Sequence, residues 1–289
     1  MKRSTLLAAL IAAALPFSAI AHKQWLVPSQ AVVNGSDVWV TFDAAVSNQL
    51  FYPDHVPMRV DGIVVTAPDG NAAQVQNAST GKYRSTFDVQ LQQQGTYRIA
   101  NVGGGLFATW DTAESLAEKE KAKAEGKPVA GPGAPRPAGF LRNATAEDLA
   151  TKVPKDAKNL QVTESANRVE TFVTNGDTTP IKPIGKGLEL VPVTHPNDLF
   201  AGEAATFKIY LDGKPAAGLE VEAIRGGTRY RNAQDELKAT TDANGQFSLT
   251  WPEAGMYWLE AGTQDNKTSV KQAKQRRLGY VVTLEVLPQ

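Results

Sequence analysis

The sequence predicts an all-β protein: two immunoglobulin-like β-sandwich domains in tandem, with a helical and Pro-rich insertion in the first. Three observations carry this. Alternation with a period of two recurs in both halves of the chain. A short element that runs from a glycine turn into a strand with a tyrosine two residues later occurs twice. The chain has no cysteine among its 289 residues, so disulfides are excluded and stability must come from packed cores.

In the first half, Val38, Val40 and Phe42 alternate with Trp39, Thr41 and Asp43, the pattern of a strand with two distinct faces. Tyr83, Ser85, Phe87, Val89 and Leu91 repeat it, "QQQGT" makes a turn, and Tyr97 and Ile99 open the next strand. In the second half Phe207, Ile209 and Leu211 alternate, "DGKP" (212–215) turns the chain, and Val221 and Ala223 follow. "DANG" (242–245) is another turn ahead of Phe247, Leu249 and Trp251. "GTYRIA" (95–100) and "GMYWLEA" (255–261) are the twice-used element, and sandwich domains place such a tyrosine at a strand corner.

The middle of the chain breaks the pattern. "DTAESLAEKEKAKAEG" (111–126) predicts a helix whose charges alternate and which has almost no large apolar residue, as in a solvated excursion. Asp111 and Glu114 have the spacing of a capping box. "GKPVAGPGAPRPAG" (126–139) predicts an irregular loop, and "ATAEDLATKV" (144–153) a short helix. "NRVETFVTNG" (167–176) returns to strand alternation and is expected to rejoin the first sandwich. The division is then a leader over 1–21, a first sandwich over 22–185 with an insertion at about 111–166, and a second sandwich over 186–289.

The leader has the features of a secretory signal. Lys2 and Arg3 precede an apolar run from Leu6 to Phe17, too short to span a bilayer comfortably, and Ala19 and Ala21 supply small residues before a cleavage point. Cleavage after Ala21 would make His22 the first residue of a periplasmic protein with no membrane insertion of the mature chain. Loss of Lys2 and Arg3 would take the formal charge from zero to about −2, which argues against a nucleic-acid partner. The remaining length, about 268 residues, suffices for two ordinary domains.

Catalytic signatures are missing from the sequence. It has no Gly-x-Ser-x-Gly elbow, and the run Gly103–Gly105 is not followed by the lysine and serine of a phosphate loop. The chain is therefore read as a binding protein and not an enzyme. Trp25, Trp110 and Phe140 are read as packing residues rather than the lining of a carbohydrate or peptide groove.

Only three histidines occur, and they restrict the chemistry. A free amine and the imidazole of His22 can chelate one ion, since such an amine is partly neutral near pH 7. A further histidine would give a nitrogen-rich site suited to nickel, cobalt or copper. "FYPDH" (51–55) offers His55 and Asp54 in a loop after a strand, and "VTHPND" offers His195 and Asp198 where the second sandwich begins. Gln24 excludes the simple amino-terminal motif that needs histidine in third place.

Four stretches resemble a known family: "AHKQWLVPS" (21–29), "VETFVTNG" (169–176), "GLELVPVTHPNDLFAGE" with "FKIYLDGKPAAGLEVEA" (187–223), and "TTDANGQFSLTWPEAGMYWLEA" (240–261). The chain is similar to exported bacterial proteins of an uncharacterised domain family often labelled as periplasmic components of nickel or cobalt uptake. The resemblance implies an exported β-sandwich associated with metal uptake, and only His22 carries over as a ligand. The expected function is periplasmic capture of a divalent nickel or cobalt ion, copper fitting the same donors, by His22 with His55, His195 and Asp54. The expected partner is a membrane metal transporter. Two alternatives stay open: a metal-free protein-interaction or adhesive module, and a copper-dependent oxygenase built on a histidine brace.

Overall fold

Residues with strand alternation pair into three sheets. The computed structural model describes residues 22–129, 134–135 and 137–289. The leader and its cleavage point therefore lie outside the described residues, as does part of the Pro-rich loop. In chain order the first half contains β1 (Lys23–Pro28), β2 (Val32–Val33), β3 (Val38–Ser47), β4 (Val56–Pro57), β5 (Ile63–Thr66), β6 (Ala72–Ala73), β7 (Gln76–Thr80), β8 (Ser85–Leu91) and β9 (Gly95–Asp111). The excursion follows, with α1 (Ala113–Ala124), β10 (Gly139–Ala144) and α2 (Ala146–Lys152), and β11 (Lys158–Asn175) closes this half. The second half contains β12 (Leu188–Pro192), β13 (Ala204–Leu211), β14 (Lys214–Pro215), β15 (Glu220–Arg225), a 3-10 turn (Thr228–Tyr230), β16 (Leu237–Thr240), β17 (Gln246–Thr250), β18 (Gly255–Asp265) and β19 (Gln275–Val286).

One sheet runs β1-β3-β8-β7 with β4 on β3. A second contains β12, β13, β14 and β17. Between them lies a ten-stranded sheet, β16-β15-β18-β19-β11-β9-β5-β6, with β10 on β9 and β2 on β11. The join between the halves is the parallel pairing of β11 with β19, from Thr163↔Gln275 to Thr171↔Thr283. The chain is thus all-β and sandwich-built, and its two sandwiches share their middle sheet.

Burial along the strands explains the sharing. In β8, and in β3 as far as Ala44, burial falls on alternate residues, among them Val40, Phe42, Phe87 and Val89, because the other face meets water. In the shared strands successive residues are buried on opposite faces. Ala223, Tyr257 and Val282 join a core with Leu190, Phe207 and Phe247. Their neighbours Ile224, Trp258 and Val281 join the other core, with Trp25, Phe42 and Phe87. Residues of the second half therefore complete the first core. Each large side chain so buried contributes roughly 1.5–3 kcal/mol of hydrophobic stabilisation.

The twice-used element folds the same way twice. The Tyr97 hydroxyl accepts from the Gln93 N–H at 2.8 Å, and the Tyr257 hydroxyl donates to the Glu253 carbonyl at 2.8 Å. Both are tyrosine corners, entered through Gly95 and Gly255 at φ 118° and 140°. The shared sheet also buries charge. Glu170 is fully buried and accepts from the Tyr280 hydroxyl at 2.5 Å, with Arg168 and Arg98 beside it at 3.2 and 3.5 Å. A carboxylate taken out of water needs such partners.

The excursion differs from expectation at both ends. Residues 158–166, expected within the insertion, already belong to β11, which pairs with β9 from Lys158↔Asp111 to Asn175↔Gly95. The glycine run lies in β9, where Gly104 lets the two backbones approach: a Cβ there would sit 2.4 Å from the Ser165 carbonyl oxygen. The cap of α1 is Thr112, paired with Ser115, rather than Asp111 with Glu114. Asp111 is the last residue of β9, buried, and held by Lys119 at 2.7 Å and Asn159 at 3.1 Å, so its carboxylate is already engaged. The second helix forms as expected, with Thr145 and Asp148 as its capping pair. Leu106, Ala108, Leu149 and Val162 give this region a small core of its own.

Candidate metal centre

His22 is the residue before β1, and the residues that follow it are held on several sides. Lys23 pairs with Ser47 of β3, and its ammonium lies 4.6 Å from the centroid of the Trp258 ring. The Trp258 indole N–H donates to the Gln24 carbonyl at 2.8 Å, and that of Trp25 donates to the Ser47 hydroxyl at 2.7 Å. Two buried indoles, one from each half, thus tie down the start of β1.

His55 comes from the loop between β3 and β4, which is closed by its own hydrogen bonds. Ser47 donates to the Gln49 carbonyl at 2.6 Å, Tyr52 N–H donates to the same carbonyl at 3.2 Å, and Asp54 accepts from the Asn48 N–H at 2.7 Å. Phe51 sits at φ 57°. The other non-glycine residues with positive φ among the described residues are Asn or Asp, which tolerate it. A bulky aromatic there is strained, and packing compensates. Phe51 meets Trp25 edge-on at 5.9 Å, and the backbone of Gly226 comes so close that an added Cβ would lie 2.9 Å from the Phe51 ring.

This loop brings His55 onto His22. The ring centroids are 4.0 Å apart and the planes 10° apart. Ring-nitrogen lone pairs lie in the ring plane, so parallel rings aim them side by side. One ion at about 2 Å from each nitrogen requires them to converge. His55 is exposed and His22 half-buried on a pinned backbone, so the required swing falls on His55. Opening an aromatic stack costs about 0.5–1.5 kcal/mol, small beside the free energy of a metal–imidazole bond. The two imidazoles have the donor chemistry for a metal, but stacked as they are they do not converge on one ion.

The other sequence-derived candidates are placed differently. Asp54 lies next to His55, but its Oδ1 staples the loop to Asn48. His195 lies in the connection from β12 to β13, at the opposite end of β1. Its Nε2 is 3.1 Å from the Thr96 hydroxyl and 3.2 Å from the Thr179 carbonyl, and its Nδ1 accepts from the Asn197 N–H at 3.1 Å. Thr96 pairs with Thr174, which bonds the Ala31 carbonyl beyond the far end of β1. The six residues of β1 alone put about 20 Å between the two histidines. With both ring nitrogens engaged, His195 is a structural residue. Burial holds it below the ordinary histidine value, against the opposing pull of Thr179 and Asp198. Among the described residues no group of three or more His, Cys, Asp or Glu side chains converges as a metal site. The packing reading of the aromatics holds for Trp25 and Trp110, both buried, while Phe140 is exposed.

The sequence reading missed the residues around the loop. Arg229, from the 3-10 turn of the second half, stacks over the Tyr52 ring at 3.7 Å and donates through Nε to Gln49 at 3.2 Å. Hydrogen bonding from Tyr230, and then from Arg229, holds the Tyr52 phenol below its usual value. No spacing or periodicity links "GGTRYRN" to "NQLFYPDH". Only the fold does.

Comparison with known proteins gives a family and little else. No curated protein matches the chain. Among solved structures, the D0-D1 domain of intimin is 12% identical over 90% of this chain and 97% of that one, at a TM-score of 0.21. A trypsin-activated alpha-2-macroglobulin from Escherichia coli is 10% identical over 91% of this chain and 15% of that one, at a TM-score of 0.20. A DUF3823 family protein from Bacteroides uniformis is 10% identical over 91% of this chain and 100% of that one, also at 0.20. None of these likenesses bears on function. Residues 19–265 match the family model described as a domain of unknown function, DUF4198, and the chain belongs to that family.

Proposed function

We propose that this protein binds one late first-row divalent metal ion in the periplasm, nickel or cobalt, in support of uptake through a membrane transporter. The observation that carries the reading is the ring-to-ring contact of His22 with His55 at 4.0 Å. Cleavage after Ala21 would add an amine on His22 itself, giving two imidazoles and one amine. That all-nitrogen set suits nickel, cobalt and copper better than calcium or magnesium, which prefer oxygen. Copper would bind tightest in direct competition, as the general affinity order requires, so nickel or cobalt selectivity would rest on supply. The uptake role comes from the family resemblance of the sequence. No described helix is long and apolar enough to cross a membrane, in keeping with a transporter as a separate protein.

The test is a nickel, cobalt and copper titration of protein whose first residue is verified as His22, beside protein with one extra Met before it. Tight binding that weakens in the extended form supports the amine and both imidazoles as ligands. Equal binding in both forms removes the amine. No binding in either removes the metal and leaves the interaction-module reading.

The donor set also keeps the copper-oxygenase reading open, because one amine and two imidazoles are what a histidine brace uses. Copper-dependent consumption of peroxide with a polysaccharide would favour it. Copper binding without turnover would leave a binding protein.

A further inference from the structure

We infer that one face of the long strands β9, β11 and β19 binds a chain of acidic sugars, with Gly103 in its floor and Arg142 and Arg277 as its cations. This goes beyond the metal reading and does not depend on the histidine pair. β9 and β11 run 17 and 18 residues and overshoot the first sandwich. The core of that sandwich reaches Val169 and Val281. Beyond them on the same face, the register sets Gly279 beside Asn167 beside Gly103, then Arg277 beside Ser165 beside Gly105. Phe107 follows on β9, with Phe140 and Arg142 of β10 against it. On their opposite face the same strands are covered, by the small core that includes Leu106, Leu149 and Val162. On this face Gly103, Phe107, Phe140, Arg142 and Arg277 are all exposed.

Gly103 singles this face out. Its two neighbours have to be glycine: a Cβ on Gly104 would sit 2.4 Å from the Ser165 carbonyl oxygen, and one on Gly105 2.9 Å from the Asn143 Cα. A Cβ on Gly103 would meet only the Asn101 side chain, at 3.8 Å. Packing does not call for glycine there, and glycine inside a strand is destabilising. Such a position marks close approach by a ligand or another backbone. Strand pairing disfavours a peptide. β11 and β19 are paired on both sides, and on the far edge of β9 only residues 102–105 lie between the pairings with β5 and β10. No edge long enough for an added strand is free. The face offers side-chain amides, hydroxyls and guanidinium groups around a flat floor, with the Asn167 amide lying over Gly279. Those groups pair with sugar hydroxyls, while the apolar face of a sugar ring rests on the glycines or on Phe140, which is 60% exposed.

Charge selects an acidic sugar. Arg276 is engaged with Asp212 and Asp265 on the other face of the sheet, whereas Arg142 and Arg277 have no carboxylate partner among the described residues. From Asn167 to Thr163, and in register with them on β9 and β19, no residue on this face is acidic. The nearest acid in register, Glu260, lies one row closer to the first core, opposite Val281. Arg142 lies over the rings of Phe107 and Phe140, at 5.9 and 5.5 Å, which holds its guanidinium ready for bidentate pairing with a carboxylate. The strand order β19-β11-β9-β10 puts three strand spacings, about 15 Å, between the backbones that carry Arg277 and Arg142. An oligosaccharide laid across the glycines spans that width and meets both cations.

The experiment titrates the purified protein with oligogalacturonate, a carboxylated sugar chain, in a calorimeter, with a chelator present so that metal takes no part. A neutral gluco-oligosaccharide of the same length and poly-glutamate form parallel arms. Gly103→Leu puts a side chain on the floor without meeting backbone, and Arg142→Gln and Arg277→Gln each remove one exposed cation. The expected result is oligogalacturonate bound in preference to both other chains, and bound about tenfold more weakly by each variant. Unchanged affinity in the variants, no oligogalacturonate bound, the neutral chain bound equally well, or poly-glutamate bound in its place would each overturn the inference. The metal reading stands or falls separately, on the nickel titration.

Discussion

The rings of His22 and His55 lie face to face at 4.0 Å, although one precedes the first strand and the other sits in the loop after the third. Neither contact nor orientation follows from local sequence. Both follow from β1 pairing with β3, which sets Lys23 opposite Ser47 and so brings the start of β1 to the loop that leaves β3.

If the pair is the metal site, His55→Ala should lower nickel affinity by more than about 100-fold, since loss of an outer-shell partner alone costs 10–100-fold. Its thermal unfolding in the absence of metal should change little, because His55 is exposed. Calorimetric titration and a melting curve on the same sample check both halves. Unchanged affinity would remove His55 as a ligand.

Trp258→Phe should loosen the start of β1 without touching a ligand. It deletes the indole donor to the Gln24 carbonyl and keeps most of the aromatic volume. A cost of about 1 kcal/mol in urea unfolding is expected, with faster hydrogen exchange over residues 23–26 and weaker metal binding. Wild-type exchange in this segment would show that β1 is held by its pairing with β3 alone.

Gly226→Ala tests whether the second half positions the histidine loop. The new methyl would lie 2.9 Å from the Phe51 ring and 3.3 Å from the Met256 carbonyl oxygen. Overpacking of this kind costs about 1–3 kcal/mol. Phe51 must yield, and His55 should move with it. Reduced metal affinity in a folded variant is the expected outcome, and full affinity would separate the loop from the second half.

His195 should give stability a pH dependence of its own. Its folded value is depressed by burial, so between that value and the ordinary one near 6.5 the unfolded chain binds more protons than the native one. The stabilisation is therefore complete above about pH 6.5 and is lost as pH falls toward the folded value. Urea midpoints of His195→Gln should be lower at neutral pH and flatter with pH than wild type over that window, with nickel affinity unchanged. A steeper profile in the variant would contradict the sign.

The strands were legible because alternation is a local property. Val40 and Phe42, or Phe247 and Leu249, announce a half-buried strand from a few residues. The corner tyrosines were legible for the same reason, since Tyr97 and Tyr257 each bond a residue four positions away. Asp111 was not, because a long-range partner, Asn159, and the ion pair to Lys119 took the carboxylate that a local cap would have used.

By itself, the sequence determined an all-β chain with a helical excursion, the absence of thiol chemistry, and three histidines as the available imidazoles. Tertiary structure alone decided that the two sandwiches share a sheet, because a strand buried on both faces reads locally much like any apolar run. It also decided which histidines meet. His55 joins His22, and His195 is held at the other end of β1 with both ring nitrogens engaged. Spacing in sequence carries no information about which ends of a sandwich its loops occupy. Strand pairing carries that information, and it brings Arg229 of the second half to Tyr52 of the first.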